Sequence, residues 1–176
     1  MLQFIIKNTN KPQAEIERII NAELRHGMEL TVLDGEREIA VKTPVGVTGH
    51  TRQGIHGRVI DPLHGEIGIQ GPASRYGDFV ESGRRPGKFP PPDPISLWLR
   101  RTAKGRAFVA AVKERYGIKT DSAALKQATF LKQRGIARRG TPGAFMFKES
   151  LRAVGAAADK YFKEAVKKIE VKLSDK

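Results

Sequence analysis

The chain has 176 residues, a length typical of one domain that buries about 70% of its unfolded surface. Its hydrophobic content of 39% and charged content of 29% exclude a wholly disordered chain, and the lack of cysteine excludes disulfides and thiolate zinc sites. The formal net charge is +13, and the excess lies beyond residue 94: the first 94 residues carry 12 basic and 12 acidic side chains, the others 20 and 7.

This basic second half predicts an acidic partner, either nucleic acid or an acidic protein surface. The alternative is a lysine-rich helix face that only meets solvent. No apolar run is long enough for a transmembrane helix, and residues Met1–Lys7 are too short for the apolar region of a signal peptide. We therefore expect no membrane contact and a cytoplasmic location until another component carries the protein elsewhere.

The N-terminal region is expected to form a short edge strand and then a long helix. The strand is Leu2–Lys7, and Pro12 is expected in the first helical turn with Asn10 or Lys11 at the cap. One apolar stripe at helical spacing supports the helix. Its members are Ile16, Ile20, Leu24, Met28, Val32 and Ile39.

A hairpin is the alternative for residues 28–42. The helix would then stop at Gly27, and strands Glu29–Leu33 and Arg37–Lys42 would flank the Asp34-Gly35 turn signal. The pattern favours the helix without deciding the matter. Pro44 ends either element, because the residue before proline resists helical geometry.

Two strands and a loop are predicted next. Arg52–Ile60 and His64–Gln70 alternate like strands and are joined by the Asp61-Pro62 turn. The segment Gly83–Pro94 contains five prolines, which cannot donate to a central strand ladder. It is expected to be an extended loop of polyproline character, carrying Arg84, Arg85 and Lys88.

The remainder is expected to be helical. A helix capped by Asp93 runs from Pro94 to Lys104 and stops at Gly105, and a second, marked by Phe108, Val112 and Tyr116, ends at Gly117. A third opens at Thr120 or Asp121 and stops at Gly135, and a last helix follows Gly140–Gly143. The apolar stripe of that last helix consists of Leu151, Val154, Ala158, Phe162, Ala165, Ile169 and Leu173.

These elements predict one α+β domain, in which a small antiparallel sheet packs against a long N-terminal helix and a long C-terminal helix, with an extended proline-rich loop. Its regions are an N-terminal strand and helix (1–42), a sheet region (43–83), the extended loop (84–94) and a basic helical region (95–176).

No residues of the sequence form a catalytic or metal-binding motif. The histidines His26, His50, His56 and His64 are scattered without a zinc or catalytic spacing. Asp78 and Glu81 are spaced for a carboxylate pair, but charges flanking a Phe-Val core contact explain them equally well. A non-enzymatic protein without cofactor or metal is therefore expected.

Three short motifs carry a family resemblance. They are Pro44-Val45 with Thr48-Gly49, then Tyr76 with Val80, Glu81 and Gly83, and finally Gly140-Thr141 with Phe145 and Phe147. In order and spacing, over about residues 12–173, the chain resembles the gene-product-10-type tail-component family of long-tailed bacteriophages, also described as tail-completion or head–tail joining proteins. It departs from the family pattern where Gly46 and Val47 replace a single Asp, and where Gly77 and Arg84 replace Ala and Thr.

The resemblance implies a minor tail or neck protein of the virion, present in the host cytoplasm during assembly. It would form a homo-oligomeric ring, with a hexamer as the expected form, between the tail tube or tail terminator and the head-side connector. On that basis Arg84, Arg85, Lys88 and Phe89 are expected to contact a neighbouring subunit or partner. Arg134, Arg138 and Arg139 are the candidates to face DNA phosphates in the channel, although the basic half could instead face an acidic tail protein.

A small basic nucleic-acid-binding protein is the alternative function. Its weakness at the level of sequence is that the eight phenylalanines and three tyrosines mostly fall at helical or motif spacing. That spacing predicts core residues and not a platform on which bases stack.

Overall fold

The computed structural model describes residues 11–174. The predicted edge strand Leu2–Lys7 and the cap residue Asn10 lie outside them. In chain order the elements are α1 (Gln13–Lys42), α2 (His50–Gln53), β1 (Ile55–Asp61), β2 (His64–Ile69), a 3-10 turn (Gly71–Ala73), α3 (Ser74–Ser82), β3 (Gly83–Arg84), α4 (Pro92–Arg101), α5 (Ala103–Arg115), α6 (Asp121–Arg139), β4 (Thr141–Pro142) and α7 (Met146–Ser174). The α+β class, the long terminal helices and the small antiparallel sheet are thus confirmed.

The described chain divides into two compact units. Unit 1 comprises residues 11–43, 54–71 and 146–174, and unit 2 comprises residues 44–53 and 72–145. Two compact units of this kind occur both within one domain and as separate domains. The expectation of a single domain therefore stays a prediction.

Unit 1 is built on the antiparallel pairing of α1 with α7. Lys172, near the end of α7, donates to Glu23 in α1 at 2.6 Å, whereas Lys42 at the end of α1 donates to the carbonyl of Glu149 at 2.7 Å. The helices also complement each other in charge, since α1 carries seven acidic and four basic residues and α7 carries four and seven. Their shared core contains Leu24, Ala165, Ile169 and Leu173.

The long-helix prediction for residues 28–42 is confirmed, because α1 runs without a break through Asp34 and Gly35. Gly27 and Gly35 are buried in α1 and neither ends it. A Cβ on Gly35 would lie 2.4 Å from Cδ1 of Ile67, so the missing side chain leaves room for the sheet. These glycines are sites of close packing, which a one-dimensional pattern cannot distinguish from helix stops.

The β1–β2 hairpin confirms the predicted strand pair and the Asp61-Pro62 turn. The predicted start at Arg52 is wrong, because Arg52 and Gln53 belong to α2 and β1 begins at Ile55. Its strands pair antiparallel from Ile55 opposite Ile69 to Asp61 opposite His64. The hairpin packs on α1, where Val32 and Met28 fill the space that side chains at Gly57 and Gly65 would need. The carboxylate of Glu36 accepts a hydrogen bond from the Gly57 amide, which fixes the hairpin to the helix.

Two details of the terminal helices differ from the prediction. Pro12 is the residue before α1 and occupies the cap position that was assigned to Asn10 or Lys11. In α7 the Leu151 side chain is 68% exposed, so it does not belong to the buried stripe, and Met146 and Ser150 are buried there instead. No helix in residues 11–174 is long and apolar enough to cross a membrane.

Unit 2 is centred on α4, α5 and α6, whose core contains Leu99, Val112 and Ala128. The predicted helix from Pro94 to Lys104 with a stop at Gly105 is wrong. α4 ends at Arg101, and the Thr102 hydroxyl caps α5 by accepting from the Gly105 amide at 2.9 Å. Gly105 is buried inside α5. The α4 backbone approaches it so closely that a Cβ there would lie 2.5 Å from the carbonyl oxygen of Trp98.

Three further boundaries in unit 2 are corrected. Gly135 lies inside α6, which continues to Arg139 and is followed by Gly140 at φ +72°. Residues Ser74–Ser82, which the prediction placed in the sheet region 43–83, form the helix α3. The extended loop is shorter than predicted, since α4 begins at Pro92 and Pro91 is its cap. Proline fits there because the first amides of a helix have no partner within it.

Candidate functional site

The second and third sequence motifs meet in unit 2. The amide of Ala144 donates to the carbonyl of Val80 at 2.8 Å, and that of Phe145 donates to the carbonyl of Glu81 at 3.0 Å. β3 and β4 then pair antiparallel, with Gly83 opposite Pro142. We call this arrangement of residues 80–84 and 140–145 the motif junction. It joins segments that are about sixty residues apart in the sequence.

Glycine is required at the motif junction by both conformation and space. Gly83 and Gly140 have φ of +82° and +72°, in the left-handed region that side chains disfavour. A Cβ on Gly140 would lie 1.9 Å from the carbonyl oxygen of Arg84, and one on Gly143 would lie 2.3 Å from that of Glu81. The glycines of the motifs therefore permit backbone-to-backbone contact, which explains why the motifs contain no reactive groups.

The first motif lies beside the second. A groove with a volume of about 410 Å³ is lined by residues of both motifs and by Trp98. Its motif residues include Pro44, Val45, Thr48, Gly49, Tyr76 and Val80. Gly49 has φ of +67°, and its carbonyl accepts from the Gln53 amide at 3.0 Å as α2 begins. All three motifs thus converge within unit 2, except that Phe147 lies in the first turn of α7.

Large apolar side chains are exposed around this convergence. Val45 is 65% exposed and Phe79 is 59% exposed, and Tyr76 and Phe145 are exposed as well. The suggestion that Phe79 makes a core contact between Asp78 and Glu81 is therefore wrong. We call Val45, Tyr76 and Phe79 the apolar motif surface. Clustered apolar exposure of this kind is typical of an interaction surface.

The proline-rich loop does not project from the molecule as an arm. The Gly87 amide donates to the carbonyl of Ala137 in α6 at 2.8 Å, and Gln133 of α6 donates to the carbonyl of Pro90 at 2.7 Å. The Phe89 ring stacks on Phe130 with centroids 6.1 Å apart. Within the loop, the Arg84 guanidinium donates to the carbonyl of Lys88 at 2.5 Å, while Arg85 and Lys88 are exposed.

The three arginines predicted to face phosphates are all in the second half of α6. Arg134, Arg138 and Arg139 are exposed there. The loop packs on the same part of the helix, so residues predicted for two different roles lie on one surface. No acidic residue follows Asp121 in α6 and none lies between Gly83 and Asp93. The two sets look unrelated in the sequence because the loop and the helix are about fifty residues apart.

The basic excess is concentrated in unit 2. That unit carries 17 lysines and arginines against 5 aspartates and glutamates, whereas the described part of unit 1 carries 13 of each. Even if every carboxylate of unit 2 were paired, twelve of its cations would lack a counter-charge within the unit. The chain's division at residue 94 placed α7 with the basic half, but α7 packs against the acidic α1.

The expectation that the aromatic residues are mainly core is wrong for half of the chain's phenylalanines. Phe79, Phe89, Phe130 and Phe145 are exposed, as are Tyr76 and Tyr116. Helical spacing did not reveal this, because a short helix has several faces and only its neighbours decide which face is covered. Trp98 and Phe108 are the counter-example, since they pack in the unit 2 core and share a cation–π contact with Lys132.

Among residues 11–174, three side chains have shifted pKa values, and none of the three lies at the motif junction. A hydrogen bond from Arg58 lowers the pKa of Glu66, and one from Lys113 lowers the pKa of Asp121. A hydrogen bond to Asp34 raises the pKa of Tyr161. Each shift follows from one partner at the surface and indicates a structural ion pair or hydrogen bond.

The histidines and the carboxylates are not arranged as a metal site in the described part of the chain. Among residues 11–174 there is no group of three or more His, Cys, Asp or Glu side chains placed to hold a metal ion. His64 lies 4.0 Å from both Asp61 and Glu66, but all three are exposed on the hairpin. Asp78 and Glu81 belong to α3, where the Asp78 carbonyl accepts from the Ser82 hydroxyl.

Comparison of the chain with protein-family models, with curated proteins and with solved structures gave no match.

Proposed function

We propose that the chain is a non-enzymatic structural protein of a bacteriophage virion, a tail-completion or head–tail joining component that assembles as a ring at the head-proximal end of the tail. The observation that carries the proposal is the convergence of the three motifs on which the family resemblance rests. Residues near positions 44, 80 and 142 form one groove and one backbone junction. The convergence gives the three motifs a common place in unit 2, which supports the proposal.

The apolar motif surface supplies the subunit contact that a ring needs. A closed ring is built from heterologous contacts, in which one patch meets a different patch of the next subunit. Val45 and Phe79 are exposed and suit such a contact. The tail tube or tail terminator and the head-side connector are the proposed partners. The location is the virion, preceded by the host cytoplasm.

The loop of residues 85–91 has a smaller part in this proposal than the sequence suggested. Because it is held on α6 by two hydrogen bonds and a ring stack, its deletion would expose α6. Loss of assembly after deletion would then have two explanations. We therefore assign the ring contact to the apolar motif surface and test it with point substitutions.

The test compares Val45→Ser and Phe79→Ser with Leu151→Ser, which changes an equally exposed apolar residue in α7. Ring formation is followed by light scattering and negative-stain microscopy, with the chain alone and with tail tubes of the same phage. The wild type and Leu151→Ser should form rings or cap tube ends, and the two motif variants should not. Rings that persist in both motif variants, or a wild type that never associates with tubes, would refute the proposal.

A small basic nucleic-acid-binding protein is the second candidate function. The observation that favours it is the concentration of charge in unit 2, together with the exposed aromatic side chains. Nucleic-acid binding would be favoured over the structural role if the protein were a monomer that does not bind tail tubes. It would also have to bind DNA tightly and selectively at physiological salt.

A further inference from the structure

The loop and α6 form one continuous surface. The loop runs along the second half of the helix, with Gly87 next to Ala137 and Pro90 next to Gln133. It brings Phe89 onto Phe130, at an angle of 27° between the ring planes. Helix and loop thus hold two aromatic rings in a fixed orientation without placing them in the core.

Both rings remain open to solvent. Phe89 is 53% exposed and Phe130 is 46% exposed although they stack on each other. Single exposed apolar residues need no explanation, but a stacked and half-exposed aromatic pair is a larger apolar area in one place. The ring surfaces of this pair that face solvent are available to stack on another flat, apolar group.

Cations flank the aromatic pair. Phe130 lies in a row of exposed α6 residues at a spacing of four, the other members being Lys126, Arg134 and Arg138. Residues four apart on a helix are neighbours, about 6 Å apart along the axis. The loop adds exposed Arg85 and Lys88. We call Phe89, Phe130 and these five cations the α6 platform.

We propose that the α6 platform binds single-stranded nucleic acid, with unpaired bases stacking on Phe89 and Phe130 and phosphates meeting Lys126, Arg134 and Arg138. Alternation of aromatic faces with cations is the chemistry that single strands require. A duplex hides the faces of its bases and would use only the cations. An acidic peptide would likewise satisfy the charges and leave the rings unused. The proposal deepens the second candidate function and does not require a ring.

The main test measures binding of a fluorescent oligothymidylate, and of a duplex of equal length, by fluorescence anisotropy over a range of salt. The full chain should bind the single strand more tightly than the duplex. Phe89→Ala and Phe130→Ala should each weaken single-strand binding by about 5- to 150-fold, the range for loss of one stacked base. They should leave duplex binding nearly unchanged.

Matched controls separate stacking from charge and from unfolding. Tyr116→Ala removes another half-exposed aromatic residue of unit 2 and should bind as the wild type does. Phe130→Trp keeps a stacking face and should retain affinity, and circular dichroism checks that each variant is folded. Phe89→Ala changes a loop residue outside the helices, so it still gives an answer if Phe130→Ala disturbs α6.

The charges are tested by the salt dependence. The double variant Arg134→Gln/Arg138→Gln should reduce the slope of log affinity against log salt by about 0.7 for each lost phosphate contact. Lys104→Gln/Lys119→Gln removes equal charge from unit 2 away from the platform and should change the slope less.

Two results would overturn the proposal. One is equal affinity of the wild type for single strand and duplex. The other is unchanged single-strand binding in both folded phenylalanine variants. If polyglutamate also competes with the oligonucleotide in that second case, the surface is one for acidic proteins. If the protein binds single strands but never forms rings, the result supports the α6 platform and refutes only the proposed ring assembly.

Discussion

The hydroxyl of Tyr161 in α7 donates a 2.5 Å hydrogen bond to the carboxylate of Asp34 in α1, across 127 residues of sequence. The bond requires the protonated phenol, so it raises the pKa of Tyr161 above its usual value of 10.0. It lies midway along the helix pair, near the point where Gly27 lets the α7 backbone approach α1. It therefore reports directly on the pairing that defines unit 1.

We predict that this hydrogen bond stabilises the fold only while Tyr161 is protonated. A pKa raised by folding gives a contribution that is full below the unfolded value of 10.0 and is lost as pH rises through the folded value. Urea unfolding of the wild type and Tyr161→Phe should differ at neutral pH, and the difference should shrink above about pH 10. The difference between their tyrosinate absorbance titrations isolates Tyr161. A titration midpoint of Tyr161 at or below 10 would contradict the hydrogen bond. Asp34→Asn removes the carboxylate and should lower this titration midpoint.

A second prediction concerns Asp121, whose pKa is lowered chiefly by the hydrogen bond from Lys113 at 2.5 Å. A lowered pKa stabilises the folded state above the unfolded value of 3.8, and this contribution disappears as pH falls through the folded value. Asp121→Asn should thus lower the urea midpoint at neutral pH and have no further effect in strong acid. Asp93→Asn, in the first turn of α4, is the matched control for the helix dipole. If the urea midpoints of the two variants changed with pH in the same way, that result would argue against the Lys113 contact.

The third prediction contrasts two glycines inside helices. Gly105→Ala should destabilise the protein by about 1–3 kcal/mol, because its Cβ would lie 2.5 Å from the Trp98 carbonyl oxygen and 2.6 Å from the Leu99 Cα. Gly155→Ala in α7 meets nothing within 4 Å and should stabilise the protein by about 0.4–1 kcal/mol. Thermal unfolding measures both. Similar effects of the two substitutions would mean that α4 and α5 do not pack this closely.

The fourth prediction contrasts two glycines with positive φ. Gly117 has φ of +61° and open space around it, so Gly117→Ala should cost only the backbone strain, about 1–2 kcal/mol. Gly140 has φ of +72°, and a Cβ would be 1.9 Å from the Arg84 carbonyl oxygen. Gly140→Ala should therefore cost about 2–5 kcal/mol, the strain plus the clash.

The same pair also tests the proposed role of the motif junction in ring assembly. If the junction orients the apolar motif surface, Gly140→Ala should abolish ring formation at temperatures where circular dichroism still shows a folded chain. Gly117→Ala should leave ring formation unchanged. Normal rings from a folded Gly140→Ala variant would show that the junction can be distorted without consequence for assembly.

Local sequence signals were sufficient for most elements of unit 1. The apolar spacing from Ile16 to Ile39 favoured α1 over the alternative hairpin, and alternation around Asp61-Pro62 predicted β1 and β2, because each pattern extends over many residues of one element. The same reasoning failed at Gly105 and Gly135. A glycine that ends a helix and a glycine that lets two helices touch look identical until the second helix is in place.

The sequence predicted individual residues of the candidate site, but it did not predict that they lie on one surface. The sequence pointed to Arg84, Arg85, Lys88 and Phe89 in the loop and to Arg134, Arg138 and Arg139 beyond it. That Phe89 stacks on Phe130, so that loop and helix share one face, follows from contacts between segments about forty residues apart. Val45 and Phe79 were overlooked, since exposure belongs to the folded molecule.

The amino-acid sequence by itself determined the α+β class, the long terminal helices and the net charge, because periodicity and composition are properties of short segments. The tertiary structure alone decided that α7 joins the acidic α1, that the basic excess therefore lies in unit 2, and that the three motifs meet. It also decided which aromatic rings stay exposed. These depend on long-range contacts, which no local pattern encodes.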